Sequence, residues 1–375
     1  MIFKISLGEF IVAGMFGLPE IVKFCARCAM SNQKPNTSVE YKNNSGDRDV
    51  IDFDDTGVCA ACRYATIKED IDWKEREEKL RKLLNRFRRS DGRHDVVVPA
   101  SGGKDSFYAA HLLKYKYNMN PLTVTWAPHI YREEGWRNLH RMIDAGFDNI
   151  LYTPNGKVHR LLTRLAFINL LHPFQPFVFG QKNIGPRISI QYEIPLVMYG
   201  ESNIEYGDPA DSNDEVMSDE YFSLKPDLDA IYLGGTSARD LLDEHGLTLN
   251  EIAPYLPIQP AEINKAGTVV HYLGHYEKWD PQECYYYSVQ NCGFEASAER
   301  NEGTFSKYTE LDDKLVPFAF YCMYIKFGFG RAMYDAVQEV RNGKITRDEA
   351  VGLIRRFDGE YPKRWLTEIL EYVGM

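Results

Sequence analysis

The stretch "VVVPASGGKDSFYAAHLL" (residues 96–113) decides the fold. Three consecutive valines read as a buried strand, and "SGGKDS" (101–106) supplies two adjacent glycines and a lysine before an apolar-periodic run that reads as a helix beginning at Phe107. A Walker-type loop needs a glycine five positions upstream of its Gly-Lys pair and Ser or Thr directly after it. Those positions hold Val98 and Asp105, so that motif is absent. What remains is strand, glycine turn and helix. Successive N–H groups in such a turn, backed by the positive end of a helix dipole, form an anion site. Gly102 and Gly103 let the main chain approach a phosphate, Ser101 and Ser106 offer hydroxyls, Lys104 offers charge, and Asp105 suits Mg²⁺.

Outward from this loop, helices and strands alternate. "SFYAAHLLKYKY" reads as a helix, "PLTVTWAP" (121–128) as a strand, "EEGWRNLHRMIDAG" as a helix, "FDNILYTP" as a strand, "HRLLTRLAFINLL" as a helix and "IPLVMYGES" (194–202) as a strand. The pattern predicts an α/β fold, a parallel sheet with helices on both faces, whose ligand lies at the carboxyl ends of the strands. The rim would comprise 101–106, Trp126 to His129, Thr153 to Asn155, and Gly200 to Asn203. Residues 204–260, acidic early on, read as an excursion over that rim. The chain beyond about 311 reads as helical, with a Thr346/Glu349 capping box. The expected division is a leader at 1–22, a Cys module at 23–68, a connecting helix at 69–93, the loop-bearing α/β unit at 94–260 and a C-terminal unit at 261–375.

Seven cysteines occur, and four form "CARC" and "CAAC": Cys25, Cys28, Cys59 and Cys62. Two Cys-x-x-Cys turns complete a tetrahedral shell, so a structural Zn²⁺ ribbon is expected, with a redox pair as the alternative. The apolar stretch 9–22 is too short to span a bilayer and carries no cleavage site, so it reads as a loosely attached leader and the protein as cytoplasmic. A formal net charge of −10 disfavours a protein whose affinity rests on nucleic-acid phosphates. The basic run 81–93 alternates with Leu80, Leu83, Leu84 and Phe87 at helical spacing, which predicts an amphipathic helix with a solvated face.

The "SGGKDS" loop resembles the pyrophosphate loop of the ATP pyrophosphatase superfamily, in which it holds the β,γ-pyrophosphate while AMP passes to a substrate oxygen. More widely, "KFCARCAMSNQKP", "DDTGVCAAC", "PLVMYGESNIEYG", "YLGHYEKWDPQE", "EGTFSKYTELDDK" and "IKFGFGRAMYDA" resemble the bacterial N-acetyl sugar amidotransferases of surface-polysaccharide and O-antigen biosynthesis. That resemblance implies that ATP and ammonia turn an acetamido group into an acetamidino group on a nucleotide-activated sugar, either a diacetamido uronic acid or a pseudaminic- or legionaminic-type acid. It implies an ammonia supply from a separate glutaminase with a cyclase-like channelling subunit, because no glutaminase signature occurs in the chain. Lys104, Asp105 and Glu201 are the expected catalytic residues, Glu201 handling the ammonia proton. Asn203, Lys307, Asp312, Asp313, Lys314, Lys326 and Arg331 are the candidate substrate contacts. A tRNA-thiolating enzyme of the same superfamily is the competing reading, and an adaptor with a vestigial loop is a third.

Overall fold

The computed structural model describes residues 10–11, 15–36, 40–43, 48–208 and 227–375. Its helices begin with α1 (Ala60–Asp70) and the amphipathic α2 (Trp73–Phe87), which buries Leu80, Leu83 and Leu84 and turns its charges to solvent. Then come β1 (Val96–Pro99), α3 (Lys104–His111), β2 (Pro121–Trp126), α4 (Glu133–Asp144), β3 (Asp148–Tyr152), α5 (Gly156–Leu170), α6 (Gln175–Tyr192), β4 (Leu196–Tyr199) and β5 (Val269–Tyr272). The five strands form one parallel sheet in the order β3-β2-β1-β4-β5. Val96, Val97 and Val98 are wholly buried, each contributing about 1.5–3 kcal/mol of apolar burial, which anchors β1 at the centre. Strand order reverses at β1, so its carboxyl end opens the crevice in which a doubly wound sheet binds its ligand.

One face of the sheet carries Leu80, Phe107, Leu113, Leu139, Trp279 and Phe294. The other carries Val97, Trp126, Leu162, Ile188 and, from the segment expected to arch over the rim, Leu233, Leu241, Ile252 and Tyr255. The described part of that segment is therefore a sheet-face layer, built from short helices at Ala238–Asp243, Leu249–Ile252 and Pro260–Ala266. Residues 209–226 lie outside the described residues. The fifth strand follows it, so the sheet runs past residue 260. The reading also passed over α6, whose Gly180, Gly185 and Pro186 argue against a helix by propensity; the glycines are there because a Cβ at Gly180 would lie 2.1 Å from the Trp126 ring.

The C-terminal part is helical: α7 (Pro281–Cys292), α8 (Val316–Phe327), α9 (Arg331–Arg341), α10 (Arg347–Phe357, with the expected capping box) and α11 (Leu366–Val373). It packs directly against the N-terminal cysteine module, where Cys25, Cys28, Cys59 and Cys62 share a core with Phe327, Phe329, Met333 and Val337. Leu18 joins that core and Phe10–Ile11 pairs with Ile21–Val22, so the described part of the leader is packed rather than loose. Residues 1–9 and 12–14 lie outside the described residues. Among the described residues, no helix is long and apolar enough to cross a membrane.

The C-terminal part reaches back to the sheet at Gly135, where an added Cβ would lie 2.4 Å from both the Cα of Asp312 and the carbonyl oxygen of Leu311. Backbone cannot yield as a side-chain tip can, so Gly135→Ala is expected to cost about 1–3 kcal/mol in urea unfolding. An unchanged midpoint would show that the contact is soft.

Candidate active site

The loop after β1 is shaped by Gly102, which has φ +83°, and a Cβ there would lie 2.6 Å from the backbone nitrogen of Leu139 in α4. Only glycine satisfies both that backbone angle and that approach. No side chain caps the N-terminus of α3, whose preceding residue is Gly103, so the first helical N–H groups are left for an anion. The helix starts at Lys104 rather than Phe107, which places Lys104 and Asp105 in its first turn.

Two adjoining cavities meet at this turn. One, with about 160 Å³ open to the centre of a water-sized molecule, is walled by Ser101–Asp105 on one side and by Tyr308, Thr309, Glu310, Asp312 and Arg331 on the other. The second, about 230 Å³ by the same measure, shares Lys104, Asp105, Tyr308, Thr309 and Arg331 and adds Glu201, Tyr206, Asp335 and Gln338. Lys104 Nζ lies 2.6 Å from Asp105 Oδ2. Burial would drive the ammonium toward neutrality, but the charge of Asp105, with Cys284 and Glu201 nearby, outweighs it and holds the lysine above its usual pKa. The other Asp105 oxygen, Oδ1, is buried without a hydrogen-bond partner. A carboxylate oxygen left bare beside a phosphate-binding turn fits Mg²⁺, and Asp105 is the residue that would hold it.

Glu201, two residues past β4, accepts a hydrogen bond from the Tyr206 hydroxyl. Burial, reinforced by the Asp105 charge and opposed by Tyr206 and Lys104, pushes its carboxyl up to about 7. Glu310 is also buried, with neither carboxylate oxygen hydrogen-bonded; burial pushes it up to about 8 against the opposing charge of Arg331, whose Nε lies 3.3 Å away. Arg331 also binds Asp335 at 2.8 Å, and together these carboxylates outweigh burial and keep its guanidinium firmly protonated.

The structure sorts the remaining candidates. Asp312 lines the first cavity beside the loop, where burial and the neighbouring Asp313 raise its carboxyl and Ser101 hydrogen-bonds it. Asp313 faces inward instead: it accepts from the backbone of His129 (2.7 Å), Ile130 (3.3 Å) and Leu315 (2.9 Å) and pairs with His129 Nδ1 (2.7 Å). Lys314 pairs with Glu368 at 2.7 Å, and Lys307 donates to the carbonyl of Ala298 beside a separate surface hollow. Lys326 is buried against Glu40 at 2.9 Å and the Leu170 carbonyl, joining modules rather than lining a cavity. Asn203 opens the short helical turn Asn203–Tyr206 without lining either cavity. Ser106 donates to the Gly103 carbonyl at 3.0 Å, so its hydroxyl braces the turn. Trp126 is a core residue and His129 is held by Asp313, so the rim segment Trp126 to His129 lines neither cavity, and Thr153 to Asn155 lines neither as well. Tyr206, Tyr308, Thr309, Glu310, Asp335 and Gln338 were not singled out, although Tyr308, Thr309 and Glu310 stand within "EGTFSKYTELDDK" and Asp335 within "IKFGFGRAMYDA".

The opposite wall of the cavities carries the recognisable signature. Residues 302–375 match the model of the C-terminal domain of WbpG-like proteins of LPS biosynthesis. An uncharacterised protein of Methanocaldococcus jannaschii is 27% identical over 82 residues, which are 22% of this chain and 29% of that one, so the match spans less than a third of that relative. Two solved structures align: the U34-tRNA thiolase of Methanococcus maripaludis with its 4Fe–4S cluster (13% identity, 93% of this chain and 95% of that one, TM-score 0.31) and the NMN synthetase of Francisella tularensis (14%, 61% and 89%, TM-score 0.25). The fold itself stands on the strand order and the loop: a parallel sheet bearing the glycine turn at its switch point, an N-terminal cysteine module and a helical C-terminal part.

The four Sγ atoms of that module all lie within 4.8 Å of one another and are fully buried. Cys25 and Cys62 are 3.9 Å apart, Cys28 and Cys59 3.7 Å, close to the roughly 3.8 Å edge of a tetrahedron with 2.3 Å metal–sulfur bonds. The donor set fits one tetrahedral ion; a cubane cluster would spread the sulfurs further apart. Elemental analysis of the purified protein is expected to give one zinc per chain, lost in Cys59→Ser together with a lowered Tm. Iron and acid-labile sulfide in its place would overturn the single-ion assignment.

Glu201 supplies a second test. A base must be deprotonated, so any step it serves should speed up as pH rises through about 7. Glu201→Gln is expected to lower kcat by about 10²–10⁴-fold and to abolish that limb of the pH profile. A variant that keeps the limb assigns the proton transfer elsewhere.

Proposed function

We propose that the protein is an ATP-dependent amidotransferase that forms AMP and pyrophosphate and acts on an N-acetylated, nucleotide-activated sugar in O-antigen biosynthesis. One observation carries this reading: the pyrophosphate-type turn Ser101–Asp105 and the WbpG-like segment Tyr308–Arg331 face each other across the same cavities. An adenylating loop and a lipopolysaccharide-type wall then act on one molecule.

The chemistry follows from the charges. The acetamido oxygen attacks the α-phosphorus of ATP, and pyrophosphate departs into the turn, stabilised by the N–H groups of α3 and by Lys104; Asp105 would hold Mg²⁺, which would supply further neutralising charge. Adenylation makes a poor leaving oxygen into a good one. Ammonia adds to the imidate carbon, Glu201 takes a proton from the nitrogen, and AMP leaves with the original oxygen, giving the amidine. Arg331, fixed by Asp335 and Glu310, suits a phosphate or carboxylate of the sugar nucleotide. Zinc in the cysteine module would be structural, and ammonia would come from a partner glutaminase with a channelling subunit. A cytoplasmic location suits such substrates.

The tRNA-thiolating alternative usually draws its sulfur from a cysteine near the nucleotide. Cys284 lies near Lys104, but burial, together with the nearby charge of Asp105, holds its thiol well above the usual range and makes it a poor nucleophile. The discriminating assay incubates the protein with ATP, Mg²⁺, ammonium chloride and a panel of nucleotide-activated acetamido sugars. AMP release and a product about one mass unit lighter, NH in place of O, are expected. AMP release stimulated by tRNA and by no sugar would replace this reading with thiolation.

A further inference from the structure

Resting on the amidotransferase reading, we propose that neutral ammonia reaches Glu201 through a narrow passage between α1 and α9, beside the cysteine module. A small cavity lies there, walled by Ala65 of α1, Glu205, Tyr206, Trp279, Arg341 and Asn342, with Pro281 and Gln338 completing it. It offers about 10 Å³ to the centre of a water-sized molecule, room for one molecule of water or ammonia and for nothing larger. It shares Tyr206, Pro281 and Gln338 with the chamber that holds Glu201, so the two spaces adjoin at these side chains. Tyr206 is the link: it donates to Glu201 and is itself hydrogen-bonded by Gln338.

The polar groups of the cavity select what can sit in it. Trp279 Nε1 and Arg341 Nη1 are buried without hydrogen-bond partners, and both are obligate donors. The one carboxylate, Glu205, is taken by Lys68, whose Nζ lies 2.7 Å from it and also donates to the Trp279 carbonyl at 2.5 Å. A site with two idle donors and a surplus of positive charge welcomes a small molecule with a lone pair and repels a cation. Ammonia has the lone pair. Ammonium, the dominant form at neutral pH, has none and carries the wrong charge. The passage therefore filters the nucleophilic form from the inert one before it meets the imidate, and excludes bulky nucleophiles by size.

The test uses the full-length protein and two readouts: sugar-dependent ATP–pyrophosphate exchange, which reports adenylation alone, and the KM for ammonia in amidine formation with ammonium chloride as the source. Asn342→Trp adds bulk to the lining of the cavity, and Arg341→Met keeps most of the side-chain length while removing the donors. Both are expected to raise the ammonia KM about tenfold, the scale of one lost hydrogen bond to a charged donor, with exchange unchanged within about twofold. An unchanged ammonia KM in both variants overturns the passage. A fall in exchange equal to the fall in amidine formation in both variants also overturns it, because the substitutions then act on adenylation and not on access. Absence of exchange in the unsubstituted protein with every acetamido sugar is a different failure: it removes the amidotransferase reading itself.

Discussion

Asp313 is the residue on which the geometry of the cavities depends. Its carboxylate is completely buried, and burying a charge is costly unless donors surround it. Three backbone N–H groups and His129 Nδ1 meet that need, two of the former from the loop after β2 and one from the start of α8. The carboxylate thus knots the sheet rim to the C-terminal part. Arg132, almost wholly buried, adds a second tie through Asn301 at 2.6 Å and the Glu310 carbonyl at 2.7 Å. Between these ties the segment 310–312 is pressed onto Gly135, and there Glu310 takes φ +60°, an uncommon backbone angle for a non-glycine residue. Its carboxylate ends up facing the turn without hydrogen-bond partners.

Local signals made much of this legible. Apolar runs and glycine punctuation located the first four strands: β1, β2 and β4 are largely buried and mostly apolar, while the edge strand β3 was marked by its place after the Gly146 helix end. The spacing of Cys25, Cys28, Cys59 and Cys62 located the metal-competent cluster, since two thiolates three residues apart can meet one ion. The fifth strand, "VVHY", is as long as β1 and β4 but has His271 within its apolar run, and α6 was masked by Gly180, Gly185 and Pro186, the glycines making sense only once Trp126 and Pro99 are known to press against the helix.

Both walls were legible in part, the opposite one through Asp312 and Arg331. The turn and Glu201 come from segments with their own signatures, whereas Tyr206, Tyr308, Glu310 and Gln338 acquire a role only through packing between segments distant in sequence. Lysines show the same limit from the other side. Lys326 looks like a ligand in an apolar run, yet Glu40, 286 positions away, consumes its charge. A charged residue in apolar company reports burial with a partner; it does not say whether that partner is a substrate or the protein itself.

The two faces of α9 belong to different parts of the molecule. Met333 and Val337 pack in the core that holds the four cysteines, while Arg331, Asp335 and Gln338 line the second cavity. A single helix is rigid across its width, so whatever loosens the thiolate cluster on one side slackens the arginine on the other. Disorder in the cysteine module would then be felt at Arg331 and Asp335 with no change in those residues themselves.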